Sequence, residues 1–285
     1  KRLINSNDAA AGGACTTNTN DYPTTNVAYY KMSTAADEKG TYNGTASNVN
    51  FNVQGKYGNA AEFNGSSSLI SLPTGVDRNN NFTLSFWVNF DTLSDYDSLI
   101  TLQINYRVYV NAMANGSLDF KGGDTTLSTN AGVVTTGNWY NIVCTKSSTL
   151  VGGKATIIYV NGVEVASNNN TSNAPAANDT GLNLLGAYNA NAAGGNFFYL
   201  DGKLDQVRIF SSALDATQVA SLYNEVYCVP TIVPTENFNA VLYSGNDGTQ
   251  PITGVGFAPD FTWIKSKNNG SNNHALTDSV RGTGS

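Results

Sequence analysis

Residues 82–90 read Phe-Thr-Leu-Ser-Phe-Trp-Val-Asn-Phe, and this stretch decides the fold class. Successive side chains of a β-strand point to opposite faces, so an alternation of apolar and mostly polar residues predicts a strand with one buried face. One face is expected to hold Leu84, Phe86, Val88 and Phe90, and the other Thr83, Ser85, Trp87 and Asn89.

Short segments of the same kind continue from residue 27 to about residue 210, broken by Gly, Asn and Asp. Within residues 155–166, Asn161-Gly162 separates two β-branched runs. Asn and Gly tolerate the positive φ that a tight hairpin turn needs, so this pair predicts a β-hairpin. Residues 203–210 form the last predicted strand, and the pattern as a whole predicts an all-β domain.

One helix is expected after this last strand. Asp215 and Gln218 have the spacing of a capping box. The residues predicted to fall on one face of the helix are Val219, Leu222, Tyr223 and Val226. We therefore divide the chain into a polar N-terminal arm (1–26), a large β domain (27–228), a Pro-containing linker (229–235) and the start of a second, incomplete β-rich module (236–285).

The composition excludes several classes of function. The chain has 285 residues, a net charge of −6 and 13% charged residues, about half of the usual ~25%. It contains no Lys/Arg cluster, so we expect no nucleic-acid partner. It contains no run of about 20 apolar residues, so we expect no membrane insertion. Neutral polar residues dominate the remainder, which suits a protein outside the cell.

The three cysteines do not have the spacing of a metal site. Cys144 lies in an alternating strand and is predicted to be a buried free thiol. Cys15 and Cys228 bracket the large domain, whose ends are expected to be close in space, so we predict a disulfide between them. The alternative is two unrelated thiols. A bridge would imply assembly or residence in an oxidising compartment.

Several blocks of sequence resemble laminin-G-like (concanavalin A-like) jelly-roll domains. In order, they are DEKGTYNGT (37–45), KYGNAAEFNGSSSLISLP (56–73), FTLSFWVN (82–89), GNWYNIVCTKSS (137–148), IIYVNGVEV (157–165) and DGKLDQVRIFSSALDATQVASLYNE (201–225). The resemblance implies a two-sheet antiparallel sandwich that ends in one short helix. It also implies that Trp139 is a core packing residue.

Residues 238–281 resemble a module of tail-fibre and other appendage proteins of tailed bacteriophages. That module often accompanies a laminin-G-like jelly roll, sometimes after an arm like Cys-Thr-Thr-Asn-Thr-Asn at residues 15–20. The resemblance implies a protein of the virion surface or another extracellular location.

Catalysis is not expected. Some jelly rolls hydrolyse glycosides, which requires two facing carboxylates, commonly at alternating positions of one strand. The sequence has no E-x-D-x-x-E motif, and Glu62 and Glu164 are isolated. The single histidine, His274, lies in the second module. We predict no catalytic residues.

Asp205 has an unusual predicted position. Strict alternation along residues 204–210 places it on the same face as Val207 and Ile209. A carboxylate on an apolar face is costly unless it is paired, hydrogen-bonded or bound to a cation.

The laminin-G resemblance offers one solution, a calcium ion. Transferred to this sequence, the ligands would be Asp205, Asp37 and oxygens near Gly40 and Asn43, and oxygen ligands suit Ca²⁺. The alternative is that Asp205 accepts backbone N–H bonds from the early loop without a metal.

A sugar site is a further possibility on this fold. Lectin-like sites use loop Asn, Asp and Gly with a stacking aromatic ring, and Tyr106, Tyr188 and Asn189 lie in or beside turn-rich stretches. The alternative is that these residues are ordinary core or surface residues.

Two classes of function remain open. The first is a non-enzymatic structural subunit of a phage fibre, spike or capsid decoration, whose jelly roll contacts other copies of itself or other virion proteins in a homo-oligomer. The second is a carbohydrate-binding adhesin that contacts a host-surface glycan. A bacterial extracellular filament or adhesin subunit is a third reading.

Overall fold

The computed structural model describes residues 23, 25–75, 81–102, 108–172, 183–189, 197–225, 239–246, 248–266 and 275–278. The chain divides into two compact units. The larger unit lies within Asn18–Tyr227, and the described residues of the second lie between positions 239 and 278. The domain boundaries stated above stay a prediction.

The described part of the larger unit consists of strands and one short helix. The strands are β1 Asn26–Tyr30, β2 Thr45–Ser47, β3 Asn50–Gln54, β4 Asn59–Asn64, β5 Leu69–Leu72, β6 Phe82–Phe90, β7 Asp97–Leu102, β8 Val108–Ala112, β9 Leu118–Lys121, β10 Thr126–Ser128, β11 Trp139–Val151, β12 Lys154–Val160, β13 Val163–Asn168, β14 Asn183–Leu185, β15 Ala187–Asn189, β16 Phe197–Tyr199 and β17 Asp201–Phe210, and the helix is α1 Ala216–Tyr223.

Two antiparallel sheets form the sandwich. The eight-stranded sheet has the order β13-β12-β11-β6-β17-β4-β3, with β1 also paired to β17. The seven-stranded sheet has the order β10-β9-β8-β7-β14-β5-β2. Several neighbouring strands, such as β6 with β17 and β7 with β14, are distant in sequence, as in a jelly roll. The predicted all-β, two-sheet antiparallel architecture is confirmed.

The core lies between the two sheets and follows the alternation predicted for β6. Leu84, Phe86, Val88 and Phe90 are at most 1% exposed and belong to this core. Each fully buried side chain of this size contributes about 1.5–3 kcal/mol of transfer free energy. Cys144 is a buried free thiol in the same core, as predicted.

The local turn and cap predictions are also confirmed. Asn161 and Gly162 form the two-residue turn between β12 and β13, with φ of +51° and +77°. Asp215 caps α1: its side chain accepts from the Gln218 amide at 2.8 Å, and the Gln218 side chain accepts from the Asp215 amide at 3.0 Å. The helix packs Val219 and Leu222 on the outer face of the eight-stranded sheet.

The structure corrects the prediction that Trp139 is a core residue. Trp139 is half-buried and belongs to neither core cluster, because it is the first residue of β11, where the strand begins at the edge of the sandwich. The core position inferred from the resemblance is therefore wrong.

The face predicted for Asp205 is also wrong. A β-bulge interrupts β17 between Asp205 and Arg208, where Gln206 adopts φ +52°. A bulge adds a residue and shifts the alternation by one position. Asp205 therefore pairs with Trp87 on the face that points away from the core, whereas Val207 and Ile209 point into it.

The second unit contains a described antiparallel pair, β18 Phe261–Ile264 and β19 Ala275–Asp278. Phe261 and Trp263 are 57% and 65% exposed. The predicted Cys15–Cys228 disulfide lies outside the described residues. No helix in the described ranges has the length and apolar character that crossing a membrane requires.

Candidate functional site

A cleft of about 310 Å³ opens at one end of the sandwich. It is formed where the β4–β5 turn, the loop between β6 and β7, and the junction of β16 with β17 come together. Its lining residues are Asn64, Gly65, Thr92, Ser94, Asp95, Asp97, Phe198, Tyr199 and Asp201. Most small-molecule sites are lined mainly by apolar side chains, but polar side chains predominate in this cleft, so it suits a polar ligand.

The loop between β6 and β7 is held by its own hydrogen bonds. The Ser94 amide donates to Asp97 Oδ2 at 2.7 Å, and the Asp97 amide donates to the Ser94 carbonyl. Tyr96 adopts φ +69°, a region that residues other than Gly enter at a cost of about 1 kcal/mol or more. The centroid of the Tyr96 ring lies 5.1 Å from that of Phe198, so the strained residue packs against the aromatic ring that lines the cleft.

The three aspartates of the cleft each use one oxygen on the protein. Asp97 Oδ2 accepts from Ser94, Asp95 Oδ1 accepts from the Ala114 amide at 3.2 Å, and Asp201 Oδ2 accepts from the Thr92 hydroxyl at 2.7 Å. The second oxygen of each carboxylate accepts no hydrogen bond from the described residues. Three acceptor oxygens therefore remain for a ligand that carries hydrogen-bond donors.

The carboxylates also influence one another. Burial raises the pKa of Asp97 from 3.8 to about 6, and the negative charges of Asp201 and Asp95 raise it further in the same direction, against the hydrogen bond from Ser94. Asp97 is only 3% exposed. The floor of the cleft is thus a desolvated acid within the field of two others.

An aromatic row leads away from the cleft. The ring centroids of Phe198 and Tyr188 are 6.0 Å apart, and those of Tyr188 and Tyr109 are 5.8 Å apart. None of these rings belongs to the core between the sheets. Tyr188, which the sequence suggested as a ligand-binding residue, is 7% exposed and supports Phe198 from behind. Asn189 lies in β15 with its side chain outside the described atoms, and Tyr106 lies outside the described residues.

The residues predicted to bind calcium form a closed loop around Asp37. Both oxygens of this carboxylate are used by backbone amides, which belong to Tyr29, Lys39, Thr41 and Tyr42 at 2.9–3.2 Å. Asn43 Oδ1 accepts from the Asp37 amide at 3.0 Å, and the Gly40 amide donates to the Asp37 carbonyl at 2.8 Å. The structure therefore brings Asp37, Gly40 and Asn43 together.

Asp205 is held by different partners. Its Oδ2 accepts from the Tyr57 amide at 2.8 Å and its Oδ1 from the Gln206 side chain at 3.0 Å. Burial raises its pKa from 3.8 to about 6. It makes no hydrogen bond to residues 37–43. Among the described residues, no group of three or more His, Cys, Asp or Glu side chains is arranged to hold a metal. Calcium binding stays a prediction.

Sequence reasoning missed the cleft because its residues come from three separate segments. Asp95 and Asp97 are two residues apart, but Asp201 follows about 100 positions later. Phe198 stands next to Tyr199 in a short strand whose pattern carries no sign of a site. Only the pairing of β17 with β4 and β6 brings these segments to one edge.

Comparison with sequence families gives two matches. Residues 64–220 match the family described as the concanavalin A-like lectin/glucanases superfamily. Residues 233–285 match a family described as a domain of unknown function, DUF7483. No curated protein matches the chain.

Solved structures with the same fold come from several kinds of protein. Domain 4 of AbnA, a GH43 extracellular arabinanase from Geobacillus stearothermophilus in complex with arabinotriose, is 24% identical, with a TM-score of 0.52 over 69% of this chain and 97% of that one. A Trypanosoma rangeli sialidase is 16% identical, with a TM-score of 0.54 over 71% of this chain and 33% of the sialidase. The binding domain of Paraclostridial Mosquitocidal Protein 1 is 17% identical, with a TM-score of 0.52 over 70% of this chain and 51% of that one.

At these identities the structures establish the fold alone, and the chain spans only a third of the sialidase. The family match covers more than half of the chain and includes the strands that carry the cleft. Together with the two antiparallel sheets and the closing helix, it shows that this chain belongs to the concanavalin A-like lectin/glucanase superfamily.

Proposed function

We propose that this protein is a non-catalytic recognition domain that binds carbohydrate in the cleft beside Phe198. One observation carries the proposal: an aromatic ring and three carboxylates with unused acceptor oxygens line the same concave surface. Sugar hydroxyls are donors, and hydrogen bonds to an ionised acceptor are among the stronger ones in proteins. The apolar face of a pyranose or furanose can lie against the Phe198 ring.

The fold-level comparison supports this assignment by analogy only. The arabinanase domain in the comparison was solved with arabinotriose, and it is matched over nearly its whole length. The same superfamily contains lectins as well as glucanases.

The absence of catalysis is part of the proposal. In this cleft Asp97 is almost fully buried and its carboxylate closes the turn that begins at Ser94. Asp201 likewise closes a contact with Thr92. Each of these carboxylates uses one oxygen to hold a loop and leaves the other to accept from a sugar hydroxyl, whereas a glycosidase needs an acid and a base that both reach the scissile bond.

A second proposal concerns where the domain works. We propose that it is displayed on a virion, as part of a tail fibre, spike or capsid decoration, or on another extracellular surface. Its support is the resemblance of residues 238–281 to phage appendage modules, together with the low charge content. In that setting its partners are other copies of itself or other virion proteins, and a glycan of the host surface.

The third proposal is calcium binding by the residues predicted from the sequence. If Asp37 and Asp205 contribute to a Ca²⁺ site, EDTA should lower the melting temperature and added Ca²⁺ should restore it. If the amide hydrogen bonds alone satisfy both carboxylates, EDTA should leave the melting temperature unchanged.

The main proposal is tested on a glycan array with the purified chain. We expect at least one oligosaccharide to bind, and Phe198→Ala to weaken this binding at least about fivefold, since an aromatic contact is worth about 1 kcal/mol beyond its area. Phe261→Ala removes an exposed ring of the second unit and serves as the matched control. Release of reducing sugar from a bound glycan would contradict the non-catalytic assignment, and a folded protein that binds no glycan would contradict the proposal itself.

A further inference from the structure

We propose that the cleft selects its ligand by charge, accepting neutral glycans and rejecting glycans that carry carboxylate or sulfate groups at the bound residue. The inference rests on the proposed function and adds to it the chemical class of sugar that fits. It is carried by the charges that line and surround the cleft.

The lining contains acids and no bases. Asp95, Asp97 and Asp201 contribute three carboxylates, and the remaining described lining residues are uncharged, with no Lys, Arg or His among them. Sites that bind carboxylates or sulfates normally present an Arg or Lys, because a cation supplies both the charge and the donors that an anion needs.

Lys203, a cation near the cleft, already forms ion pairs with other acids. Lys203 Nζ lies 2.8 Å from Asp91 and 3.6 Å from Glu62, and the Asp91 amide N–H donates a hydrogen bond to the carbonyl of Asp201, a residue of the cleft. Lys203 therefore neutralises neighbouring acids and does not offset the charge of the three carboxylates inside the cleft.

Asp97 is the acid of the cleft whose charge is expected to act most strongly on a bound group. The residue is more than nine-tenths buried, it lines the cleft, and its Oδ1 accepts no hydrogen bond from the described residues. A carboxylate that is withdrawn from water interacts strongly with any further charge, because the screening is weak there. A neutral hydroxyl satisfies the free oxygen, whereas an anionic group would meet it with repulsion.

Gly65 leaves space in the cleft beside Asp201. Gly65 adopts φ +68°, and a Cβ added to it would lie 3.0 Å from Asp201 Cβ. The absence of a side chain at this position keeps the space beside Asp201 open. A sugar in the cleft is thus placed next to the carboxylates, where a negative substituent has the largest effect.

The test uses matched pairs of glycans that differ only in charge. Suitable pairs are lactose with 3′-sialyllactose, xylo-oligosaccharides with their glucuronic-acid-substituted forms, and desulfated with sulfated oligosaccharides, together with the neutral glycan that binds best. We expect the neutral member of a bound pair to bind at least tenfold more tightly than the charged member. We expect Asp95→Asn and Asp201→Asn to narrow this ratio several-fold.

Two further experiments test whether charge is the cause of the preference for neutral glycans. Raising the salt concentration from 20 mM to 500 mM should also narrow this ratio, because ions screen the exposed charge of Asp95 and the half-buried charge of Asp201. Glu164→Gln removes one negative charge from the edge strand β13, where Glu164 pairs with Lys154, and should leave the ratio unchanged.

The outcomes separate this inference from the proposed function. If no glycan binds, the proposed function fails and the selectivity falls with it. If charged glycans bind as well as or better than their neutral partners, the selectivity is wrong while the sugar site stands. If neutral glycans are preferred but neither the aspartate variants nor salt changes the ratio, the preference has another origin and the inference is overturned.

Discussion

Asp205 and Trp87 lie directly opposite each other on β17 and β6, on the face of the sheet that points away from the core. The carboxylate is fully buried and the indole is 2% exposed. The Trp87 ring stacks on Tyr223 at 5.8 Å and meets the edge of Tyr57 at 5.9 Å, with Lys56 Nζ 4.3 Å from its centre. A second, partly polar core therefore exists outside the sandwich.

This outer core ties three parts of the chain together. The Tyr57 amide donates to Asp205, and the Tyr57 hydroxyl donates to the Glu225 carbonyl at 2.7 Å. Glu225, just after α1, pairs with Arg208 at 2.9 Å. The bulge at Gln206 makes this arrangement possible, because it turns Asp205 outward while Arg208 keeps its outward position.

The first prediction concerns the Arg208–Glu225 pair. Its side chains are 3% and 13% exposed, so Arg208→Met leaves a nearly buried carboxylate without its cation. We expect a loss of about 3–5 kcal/mol in the free energy of unfolding, measured by urea denaturation. Lys154→Met breaks an exposed pair with Glu164 and should cost less than about 1 kcal/mol. Equal costs for the two variants would contradict the importance of the outer core.

The second prediction is a pH dependence at Asp205. Burial raises the pKa of its carboxyl from 3.8 to about 6, so the folded protein binds this proton more tightly than the unfolded chain. The resulting stabilisation is complete below about pH 3.8 and is lost as the pH rises through about 6. The Asp205→Asn variant has no such pH-dependent term, because an amide side chain does not titrate. Relative to the wild type, the variant should therefore gain on the order of 2 kcal/mol between pH 4 and pH 7.

The measurement is the urea midpoint at pH intervals for the wild type and for Asp205→Asn. Asp260→Asn, an exposed position of the second unit, serves as the control variant. Parallel stability curves for the wild type and Asp205→Asn would show that this carboxyl does not titrate as the structure requires.

The features that depend on local periodicity could be predicted from the sequence. The orientation of Asp205 could not, because it depends on a β-bulge that interrupts the periodicity. The alternation of β6, the turn at Asn161-Gly162 and the Asp215 cap are short-range features, and each has the predicted form. Gln206 adopts a positive φ that glutamine rarely takes, so nothing in its residue type marked the bulge. One extra residue moved Asp205 to the other face and removed the basis for expecting it inside the sandwich.

The cleft was unpredictable for a different reason. Asp95, Asp97 and Asp201 line one cleft only because strand pairings bring distant segments together, and such pairings cannot be read from the pattern of a single sequence. Asp37 shows the opposite case, since its partners lie within eight residues and its early loop was recognised as a unit.

The third prediction concerns the tight approach between Gly186 and Phe63. Gly186, between β14 and β15, has φ +73°, and a Cβ added to it would lie 2.2 Å from the Phe63 ring. Gly132 has nearly the same φ of +75° but no atom within 4 Å of an added Cβ. Gly132→Ala should therefore cost only the backbone strain, about 1–2 kcal/mol.

Gly186→Ala should cost considerably more, because the ring of Phe63 is 1% exposed and packed on all sides. The comparison is the melting temperature of the two variants. If Gly186→Ala does not accumulate as a folded protein, combining it with Phe63→Leu should recover folded material. Equal melting temperatures for Gly132→Ala and Gly186→Ala would contradict the close approach.

The fourth prediction separates support from contact in the aromatic row. Tyr188 is 7% exposed and lies between Tyr109 and Phe198, whereas Phe198 lines the cleft. Tyr188→Ala creates a cavity behind Phe198 and should cost about 3–5 kcal/mol of stability. Phe198→Ala should weaken glycan binding with a smaller loss of stability, because this ring is only half-buried. Thermal denaturation and a binding titration of both variants measure the two effects. The assignment of Tyr188 as a supporting residue would be wrong if Tyr188→Ala kept the wild-type melting temperature and still lost binding, since the tyrosine would then contact the sugar itself.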